Sequence, residues 1–596
     1  MRDHEQGSKQ DREQAPTQDP SSLDSDSDAE AGLAAFGESD FPKAPNTWIR
    51  AAVAFVFVLA AVAVIVWLVL RAGGTDNSAE SGSGVNSGET AATDVILTTF
   101  QWNWESVARE CPATIAPAGF RYVQISPPNE TIQGEAWWTS YQPVSYKLES
   151  KLGTPEQFQQ MIDACKEVGV GIIADAVLNH MAAVDQAPGT GVAGSKFAED
   201  DFPGIYGHDD FNECRTNIST YRDRDEVQGC RLLGLQDLAT SHEKVRDTEA
   251  AYLNELIAMG VEGFRIDAAK HIPETDLAAI KAKLTDPNIL WIQEVIGGVE
   301  EPIKPAEYEP TGKVNEFGYG KDLVDDFNNQ IDALKYAGKG LLPSADAVVF
   351  VDNHDTERNG STLNYKAGND YLLANIFMLG WDYGEPAVYT GYKFDDNDAG
   401  APGATATSVP DVDCGSDQWT CLQNWPEIRA MVHFHNTAAG TPVTNWWSND
   451  SNVIAFARGG DKSTQGPTDP ISGDSGAATV FPTDIASRDI TSVAQAGSGL
   501  AFLVMNNESS TYVAGSGKDA NGAFGKDNPY AKADPGSQVD DGSLTGPKFL
   551  TSLPAGKYCN VMVPDCAEVI TVDKDGSFAA QIPAGKTLAL HVGAKK

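Results

Sequence analysis

Four apolar stretches that end in acidic or polar residues constrain the fold of this chain most strongly. Each is mainly apolar and contains an Asp or Glu residue within it or near its end: Gly171–His180, Gly263–Asp267, Trp291–Val295 and Val349–Asp355. Strands that are apolar on both faces are typical of parallel sheets, which helices cover on both sides. The pattern therefore predicts an α/β fold whose parallel strands bring polar residues to one edge.

The order of elements between these stretches favours a (β/α)8 TIM barrel. Strand-like and helical segments alternate from Asp94 to about residue 440, which is typical of a parallel sheet. One predicted helix covers Pro155–Val168, with Thr154 as its N-cap, and leads into the first of the four strands. No fixed-period repeat is present, which argues against a solenoid or a propeller. In such a barrel the functional residues lie at the carboxyl ends of the strands.

The N-terminal part of the chain has the composition of a tail, a membrane anchor and a tether. Residues 1–47 are polar and acidic with few aromatic residues, which predicts disorder. Residues 51–70 are continuously apolar, and as a helix rising ~1.5 Å per residue they would span ~30 Å, the hydrocarbon thickness of a bilayer. We therefore predict a single transmembrane helix over residues 48–71, followed by a flexible linker over 72–93.

The cysteines indicate on which side of the membrane the large C-terminal part lies. The chain has eight cysteines and no CxxC pair, so disulfides are favoured over zinc or thiol redox chemistry. Disulfides imply an oxidising compartment, which places the large part outside the cell and the tail in the cytoplasm. We expect a single-pass protein of the cell membrane, or a secreted one if the anchor is cleaved. Sequence spacing alone leaves the pairing of the cysteines open.

The remainder of the chain divides into three predicted parts. The barrel is expected over residues 94–180 and 238–440, and an irregular polar subdomain, residues 181–237, interrupts it after the third strand. Residues 441–596 contain short β-type runs between Gly, Asp and Ser, which predicts a C-terminal antiparallel β-sandwich domain. The net charge of −41 argues against a nucleic-acid partner, since the chain has no excess of positive charge to neutralise phosphates.

Three of the strand-end carboxylates suggest cleavage of a glycosidic bond. That reaction uses an acid/base and a nucleophile on either side of the bond, and Asp267, Glu294 and Asp355 would all reach the same rim. Arg265 lies two residues before Asp267, on the same face of the strand, and would favour the charged form of that carboxylate. Glu294 ends an apolar strand, where burial would raise its pKa towards that of a working acid.

The four stretches resemble the four signature regions of the α-amylase family of glycoside hydrolases. The resemblance extends over residues 94–596 and is greatest to the animal-type and actinobacterial secreted enzymes. Trp137–Tyr146 resembles the substrate-stacking segment of the family, and Cys230–Leu238 resembles its calcium-binding segment. The resemblance implies an endo-acting α-amylase.

The resemblance also implies a role for individual residues. Asp267 would be the nucleophile, Glu294 the general acid/base and Asp355 the stabiliser of the transition state, in a retaining double displacement on α-1,4-glucosidic bonds of starch, glycogen or maltodextrins. The expected substrate-binding residues surround these carboxylates: Trp137, Trp138, Tyr141, His180, Arg265, Lys270, His271 and His354. The expected partner is thus an α-glucan, bound by a monomer.

A calcium site is implied by the same resemblance. Its ligands would be the side-chain oxygens of Asn179 and Asp237 and the main-chain carbonyls of Gln228 and His271. Oxygen atoms of these kinds are the ligands that Ca²⁺ prefers. The ion would hold the inserted subdomain against the barrel, next to the catalytic cleft.

Chloride binding is not expected, or only weakly. Chloride-activated members of the family hold the anion with two arginines and an asparagine, and Arg265 and Asn353 match two of these. The position of the second arginine falls within Gly384–Val388, which contains no basic residue. Thr356–Gly360 also stands in place of the glycine-rich loop of the animal enzymes.

The resemblance selects one set of disulfides. The implied pairs are Cys111–Cys165, Cys214–Cys230, Cys414–Cys421 and Cys559–Cys566.

Other functions on the same scaffold remain open at the level of sequence. A transglycosylating or maltose-forming relative would carry the same three carboxylates. A non-catalytic accessory subunit of an amino-acid transporter, or a glycan-binding module, would have lost them, and this chain retains all three.

Overall fold

The structure is a computed structural model that describes residues 93–460, 490, 494–513 and 548–596. The predicted tail over 1–47, the predicted transmembrane helix over 48–71 and all but the last residue of the predicted linker lie outside these ranges. Within the described residues, no helix combines the length and the apolar character that a membrane span requires.

Eight parallel strands form a closed barrel, which confirms the predicted barrel fold. Each strand pairs with the next along the chain, and the eighth pairs with the first. The barrel strands are β1 (Ile96–Thr99), β2 (Tyr122–Ile125), β3 (Gly171–Val177), β4 (Gly263–Asp267), β5 (Leu290–Gln293), β6 (Lys313–Asn315), β7 (Ala347–Val349) and β8 (Glu385–Thr390).

The register of the central strands aligns their polar ends. Every residue of β3 and β4 is buried, as expected for strands with a core on both faces. Asp175 lies opposite Arg265, and Val177 lies opposite Asp267. Gln293, the last residue of β5, lies opposite Ile266. The residues that end these strands therefore reach the same rim of the barrel.

Helices follow the strands and cover the barrel. Those of seven or more residues in the described part are α1 (Trp104–Glu110), α2 (Pro155–Glu167), α3 (Glu243–Met259), α4 (Glu274–Lys281), α5 (Phe317–Asn328), α6 (Asn369–Gly380) and α7 (Pro426–Ala438). The start of α2 agrees with the sequence: Thr154 and Gln157 form a reciprocal capping box, with proline at the first helical position.

A short antiparallel ladder pairs the beginning and the end of the segment between β3 and α3. His180–Ala183 pairs with Leu235–Asp237, so that His180 lies opposite Asp237. Two further short strands, Gly189–Thr190 and Lys196–Phe197, pair with each other. Phe197, Phe202, Tyr206 and Phe211 of this segment belong to a small apolar cluster that also includes residues from outside the segment.

The C-terminal part contains a four-stranded antiparallel sheet. Its strands, in spatial order, are β9 (Val443–Ser448), β10 (Val453–Arg458), β11 (Ala501–Asn506) and β12 (Lys586–His591). Three two-stranded ladders accompany it: Tyr512–Val513 with Gln581–Ile582, Phe549–Leu550 with Ser577–Phe578, and Gly556–Cys559 with Val569–Val572.

All four implied disulfides are present, which confirms that part of the resemblance. The bonds are Cys111–Cys165, Cys214–Cys230, Cys414–Cys421 and Cys559–Cys566. Within the described residues no cysteine is free.

Candidate active site

One arginine joins three carboxylates at the rim of the barrel. Arg265 Nη1 lies 2.8 Å from Asp175 Oδ1 and 2.8 Å from Asp267 Oδ1, and its Nη2 lies 2.8 Å from Glu294 Oε1. The second carboxyl oxygen of Glu294 accepts a hydrogen bond from the backbone N–H of Ala268 at 2.7 Å. Asp267 and Glu294 are the two carboxylates expected to react. Each therefore pairs with a different nitrogen of the same guanidinium.

Asp355 faces the same space from the neighbouring part of the rim. Its side chain is 37% exposed, against 11% for Asp267 and 9% for Glu294, so it is the most open of the three carboxylates. Its charge acts on both of the others, and His354 Nε2 lies 3.4 Å from its Oδ2. The three carboxylates predicted from the sequence therefore converge on one site.

Burial controls the protonation of these groups. It raises the pKa of Glu294, and Arg265 opposes the rise only in part. It also raises the pKa of Asp267, although Arg265 acts in the opposite direction. The sequence indicated the effect of Arg265 on Asp267, but it did not indicate that burial would be the larger effect. The pKa of Asp355 is likewise raised by burial, with Arg265 and Arg358 opposing.

Aromatic rings form one wall of the site. The ring of His354 is stacked between Phe100 and Tyr141, with centroid distances of 4.9 Å to each. Trp137 meets the His354 ring edge-on at 5.4 Å and donates its indole N–H to the carbonyl of Asn397. Trp137 is the half-buried ring of this group and offers a flat surface on which a sugar ring can stack.

The remaining expected sugar-binding residues differ in their burial and in the partners that they already have. Trp138 is half-buried against the apolar cluster of the inserted segment. His180 is buried, its Nε2–H donates to the carbonyl of Tyr141, and burial lowers its pKa to about 4. Lys270 pairs with Glu301 at 2.5 Å and lies over the ring of Tyr221. The ammonium of Lys270 thus already has a carboxylate partner.

The four expected calcium ligands lie in two neighbouring pairs. Asp237 is 3% exposed, and its carboxylate accepts hydrogen bonds from the amides of Asn179 and Asn212. Gln228 and His271 lie on adjoining backbone segments, because His271 Nδ1–H donates to the Val227 carbonyl at 3.0 Å. His180, opposite Asp237 in the ladder, lies close enough to His271 to affect its pKa.

The surroundings of Asp237 fit a hard cation. Burial raises the pKa of Asp237 to about 7, against the effect of the Asn212 hydrogen bond and of more distant arginines. A buried carboxylate whose direct partners are neutral amides is costly without a cation. The oxygen atoms available around it are of the kind that Ca²⁺ binds.

The residues that match the chloride site of the family make other interactions in this structure. The side-chain oxygen of Asn353 accepts the backbone N–H groups of Asp355 and Thr356. Arg265 makes the three ion pairs described above. In the Gly384–Val388 segment, Glu385 pairs with Lys313 at 3.2 Å.

Asp175 belongs to the site, although it was absent from the residues that the sequence singled out for a role. It is 1% exposed, and its second carboxyl oxygen accepts the hydroxyl of Tyr141 at 3.0 Å. Asp175 therefore links the cation of the site to its aromatic wall. Its position inside an apolar strand, two residues before the strand end, was the available signal.

Comparison with known proteins identifies the family. The family model described as "Alpha amylase, catalytic domain" matches residues 135–295. An α-amylase of Streptomyces violaceus is 42% identical over 504 residues, which cover 84% of this chain and 74% of that protein. The chain belongs to the α-amylase family.

Two further α-amylases agree with this assignment. The α-amylase of Aeromonas hydrophila is 43% identical over 385 residues, covering 62% of this chain and 84% of that protein. The crystal structure of α-amylase I from Eisenia fetida superposes with a TM-score of 0.69 at 31% identity, covering 84% of this chain and 97% of that one. The α-amylase fold thus extends beyond the residues that the family model matches. The chain is a glycoside hydrolase of this family.

Proposed function

We propose that this protein is an endo-acting α-amylase that hydrolyses internal α-1,4-glucosidic bonds with retention of configuration. The observation that carries the proposal is the pair of Asp267 and Glu294 on one buried guanidinium, with Asp355 beside them at the rim of the barrel. A retaining glycosidase requires a nucleophile and an acid/base placed close together on either side of the bond.

In the first half of the proposed reaction, Asp267 attacks the anomeric carbon while Glu294 gives its proton to the departing glycosidic oxygen. Arg265 orients Asp267, and burial raises the pKa of Glu294, which favours the protonated form that this step requires. The products of this step are a covalent glycosyl ester on Asp267 and the free leaving sugar. Glu294, now ionised, then takes a proton from water, whose oxygen attacks the anomeric carbon and releases Asp267.

The other residues hold the sugar in the proposed complex. Asp355, the most exposed carboxylate, would accept hydroxyl hydrogens of the sugar at the bond to be cleaved. Burial, Arg265 and Arg358 hold the pKa of His354 well below its usual range, so its ring is neutral. A neutral imidazole donates to a hydroxyl without adding a charge to the site.

Incubation of the full-length protein with soluble starch tests this function. An endo-acting enzyme should abolish iodine staining early, while reducing ends rise slowly, because each internal cut shortens long chains sharply. Proton NMR of the first products should show the α-anomer before mutarotation. Cyclic or lengthened products would instead indicate transglycosylation, and maltose as the first product would indicate a maltose-forming enzyme. The absence of any new sugar would contradict the proposal.

We further propose that Ca²⁺ binds at Asn179 and Asp237, with the carbonyls of Gln228 and His271. The buried charge of Asp237 and its neutral partners support this site. The ion would neutralise the carboxylate and join the inserted segment to the barrel. We propose no chloride site, since the segment expected to supply the second arginine has no basic residue.

Removal of calcium is expected to lower the melting temperature. A ligand present at a hundredfold excess over its Kd stabilises the folded state by about 2.7 kcal/mol, so a chelator should remove a contribution of this order. Calcium should restore the melting temperature, and Asp237→Asn should reduce that response.

Asp200→Asn is a matched control for the calcium experiment. Asp200 is a carboxylate in the same inserted segment, but it pairs with Arg215 and Arg231. This variant should keep the calcium response of the unaltered protein. An unchanged melting temperature after complete chelation would contradict the calcium site.

The domain limits and the location of the protein also remain proposals. We propose a catalytic barrel over residues 94–180 and 238–440, an inserted calcium-binding subdomain over 181–237, and a C-terminal all-β domain over 441–596. The apolar run within 48–71 supports an uncleaved membrane anchor, and the four disulfides support an extracellular catalytic part.

A further inference from the structure

A buried arginine outside the catalytic group lies in a cage of four aromatic rings. The guanidinium carbon of Arg358 lies 4.5 Å from the ring centre of Phe394, 5.0 Å from Phe100, 5.2 Å from Trp137 and 5.3 Å from Tyr392. Arg358 is 8% exposed. A planar cation against several ring faces is a favourable arrangement, and it is stronger where water is excluded.

The same guanidinium positions His354 in two ways. Its Nη1 donates a hydrogen bond to the main-chain carbonyl of His354 at 2.9 Å. Two of the rings in its cage, Phe100 and Trp137, also contact the imidazole ring of His354. Both the backbone and the ring of His354 therefore depend on groups that Arg358 holds in place.

Arg358 is also the second positive charge beside Asp355. Arg265 and Arg358 both favour the ionised form of Asp355, and both oppose protonation of His354. The acidic groups that face these two residues from the neighbouring strands are Asp267 and Glu294.

The side of Arg358 away from the site has its own titratable partners. Glu357 forms an ion pair with Arg358 and accepts the hydroxyl of Tyr389 at 2.7 Å. The other charged and titratable groups around this pair are Lys366, Asp352 and the hydroxyls of Tyr365, Tyr371 and Tyr392. Arg358 therefore donates to the His354 carbonyl on one side and pairs with the Glu357 carboxylate on the other.

We propose that Arg358 is a positioning residue for the hydrolysis: its planar guanidinium fixes His354 and Trp137 against the sugar, and it brings a second positive charge to the site. This inference rests on the proposed function and deepens it. It assigns one role to the shape of the side chain and another to its charge, and these roles can be separated by substitution.

Two substitutions in the full-length protein separate the roles. Arg358→Gln removes the charge, while Arg358→Lys keeps it and removes the planar fork. The measurements are kcat, KM and the pH profile of kcat/KM on maltoheptaose, with the melting temperature as a check on folding.

Loss of the charge should move the acid limb of the profile to higher pH. Without Arg358, protonation of Asp355 and of His354 both become easier, and both changes act in the same direction. In Arg358→Gln we expect kcat/KM to fall about 100-fold and the acid limb to rise by roughly half a pH unit or more. In Arg358→Lys the limb should stay within about 0.2 units, while kcat/KM still falls about tenfold.

Arg121→Gln is the matched control. Arg121 also lies over an aromatic ring, that of Tyr122 at 4.4 Å, and pairs with Glu262, but it precedes β2 at the opposite end of the barrel. This variant should keep the kinetic constants and the pH profile of the unaltered protein.

The outcomes distinguish this proposal from its alternatives. A lower melting temperature in Arg358→Gln with an unmoved acid limb would assign Arg358 a purely structural role and overturn the proposal. If the glutamine variant does not fold, unaltered kcat/KM in Arg358→Lys would overturn it, and a selective fall would support it. Failure of the unaltered protein to cleave starch would instead contradict the proposed function itself.

Discussion

Replacing Asp267 by asparagine is expected to lower kcat on starch by about 10⁴-fold or more, the range in which loss of a covalent nucleophile falls in well-studied hydrolases. The amide has nearly the shape of the carboxylate, but it cannot form the glycosyl ester on which the proposed reaction depends. Asp267 is buried beside Arg265, so the substitution also removes a negative charge that the arginine neutralises. Arg265 would still pair with Asp175 and Glu294, so the loss of kcat should be accompanied by only a modest change in stability.

The measurement is the initial rate of reducing-end formation, with the melting temperature recorded for the same preparation. Asp276→Asn is the control, because Asp276 is a buried carboxylate that pairs with an arginine, Arg246, outside the cleft. That variant should keep kcat within a few-fold even if it is less stable. Near-normal turnover in Asp267→Asn would refute the assignment of the nucleophile.

The sequence was sufficient to predict the barrel and the convergence of the three carboxylates. Apolar strands with polar ends leave few alternatives, because parallel strands in a closed barrel must present their carboxyl ends on one rim. The disulfides needed the family resemblance, since spacing alone permits many pairings of eight cysteines.

The contacts between distant residues were not predictable in the same way. Asp175 pairs with Arg265 across 90 positions of the chain, and Arg358 meets four rings from three separate segments. Such partners are set by strand register and by the packing of loops on the rim. The direction in which the pKa of Asp267 shifts depends on the extent of burial, which a sequence pattern does not measure.

Replacing Arg265 by methionine is expected to destabilise the folded state more than any other single substitution at the site. Arg265 is 3% exposed and is the common partner of Asp175, Asp267 and Glu294. Removal of one partner of a buried ion pair costs about 3–5 kcal/mol, because the remaining charge is left without compensation. Here three carboxylates would lose the same cation, so we expect the free energy of unfolding at pH 7 to fall by at least about this amount.

The pH dependence of this loss follows from the carboxylates. Burial already raises the pKa of all three, and loss of Arg265 should raise each further. A group whose pKa is higher in the folded state favours folding at low pH and loses that contribution as the pH rises through the folded-state pKa. The difference between Arg265→Met and the unaltered protein should therefore be largest at neutral pH and should shrink towards pH 5.

A second substitution separates charge from packing in this prediction. Asp175→Asn in the Arg265→Met background removes one of the uncompensated carboxylates, so it should restore about 1 kcal/mol or more, measured as a double-mutant cycle by denaturant unfolding. Arg246→Met is the comparison, since Arg246 pairs with a single carboxylate, Asp276, and should cost less. If Arg265→Met were no less stable than Arg246→Met at pH 7, or if its loss were independent of pH, Arg265 would not be the cation that holds these carboxylates together. In that case the convergence of Asp267 and Glu294 would need another cause, because no other described cation contacts both.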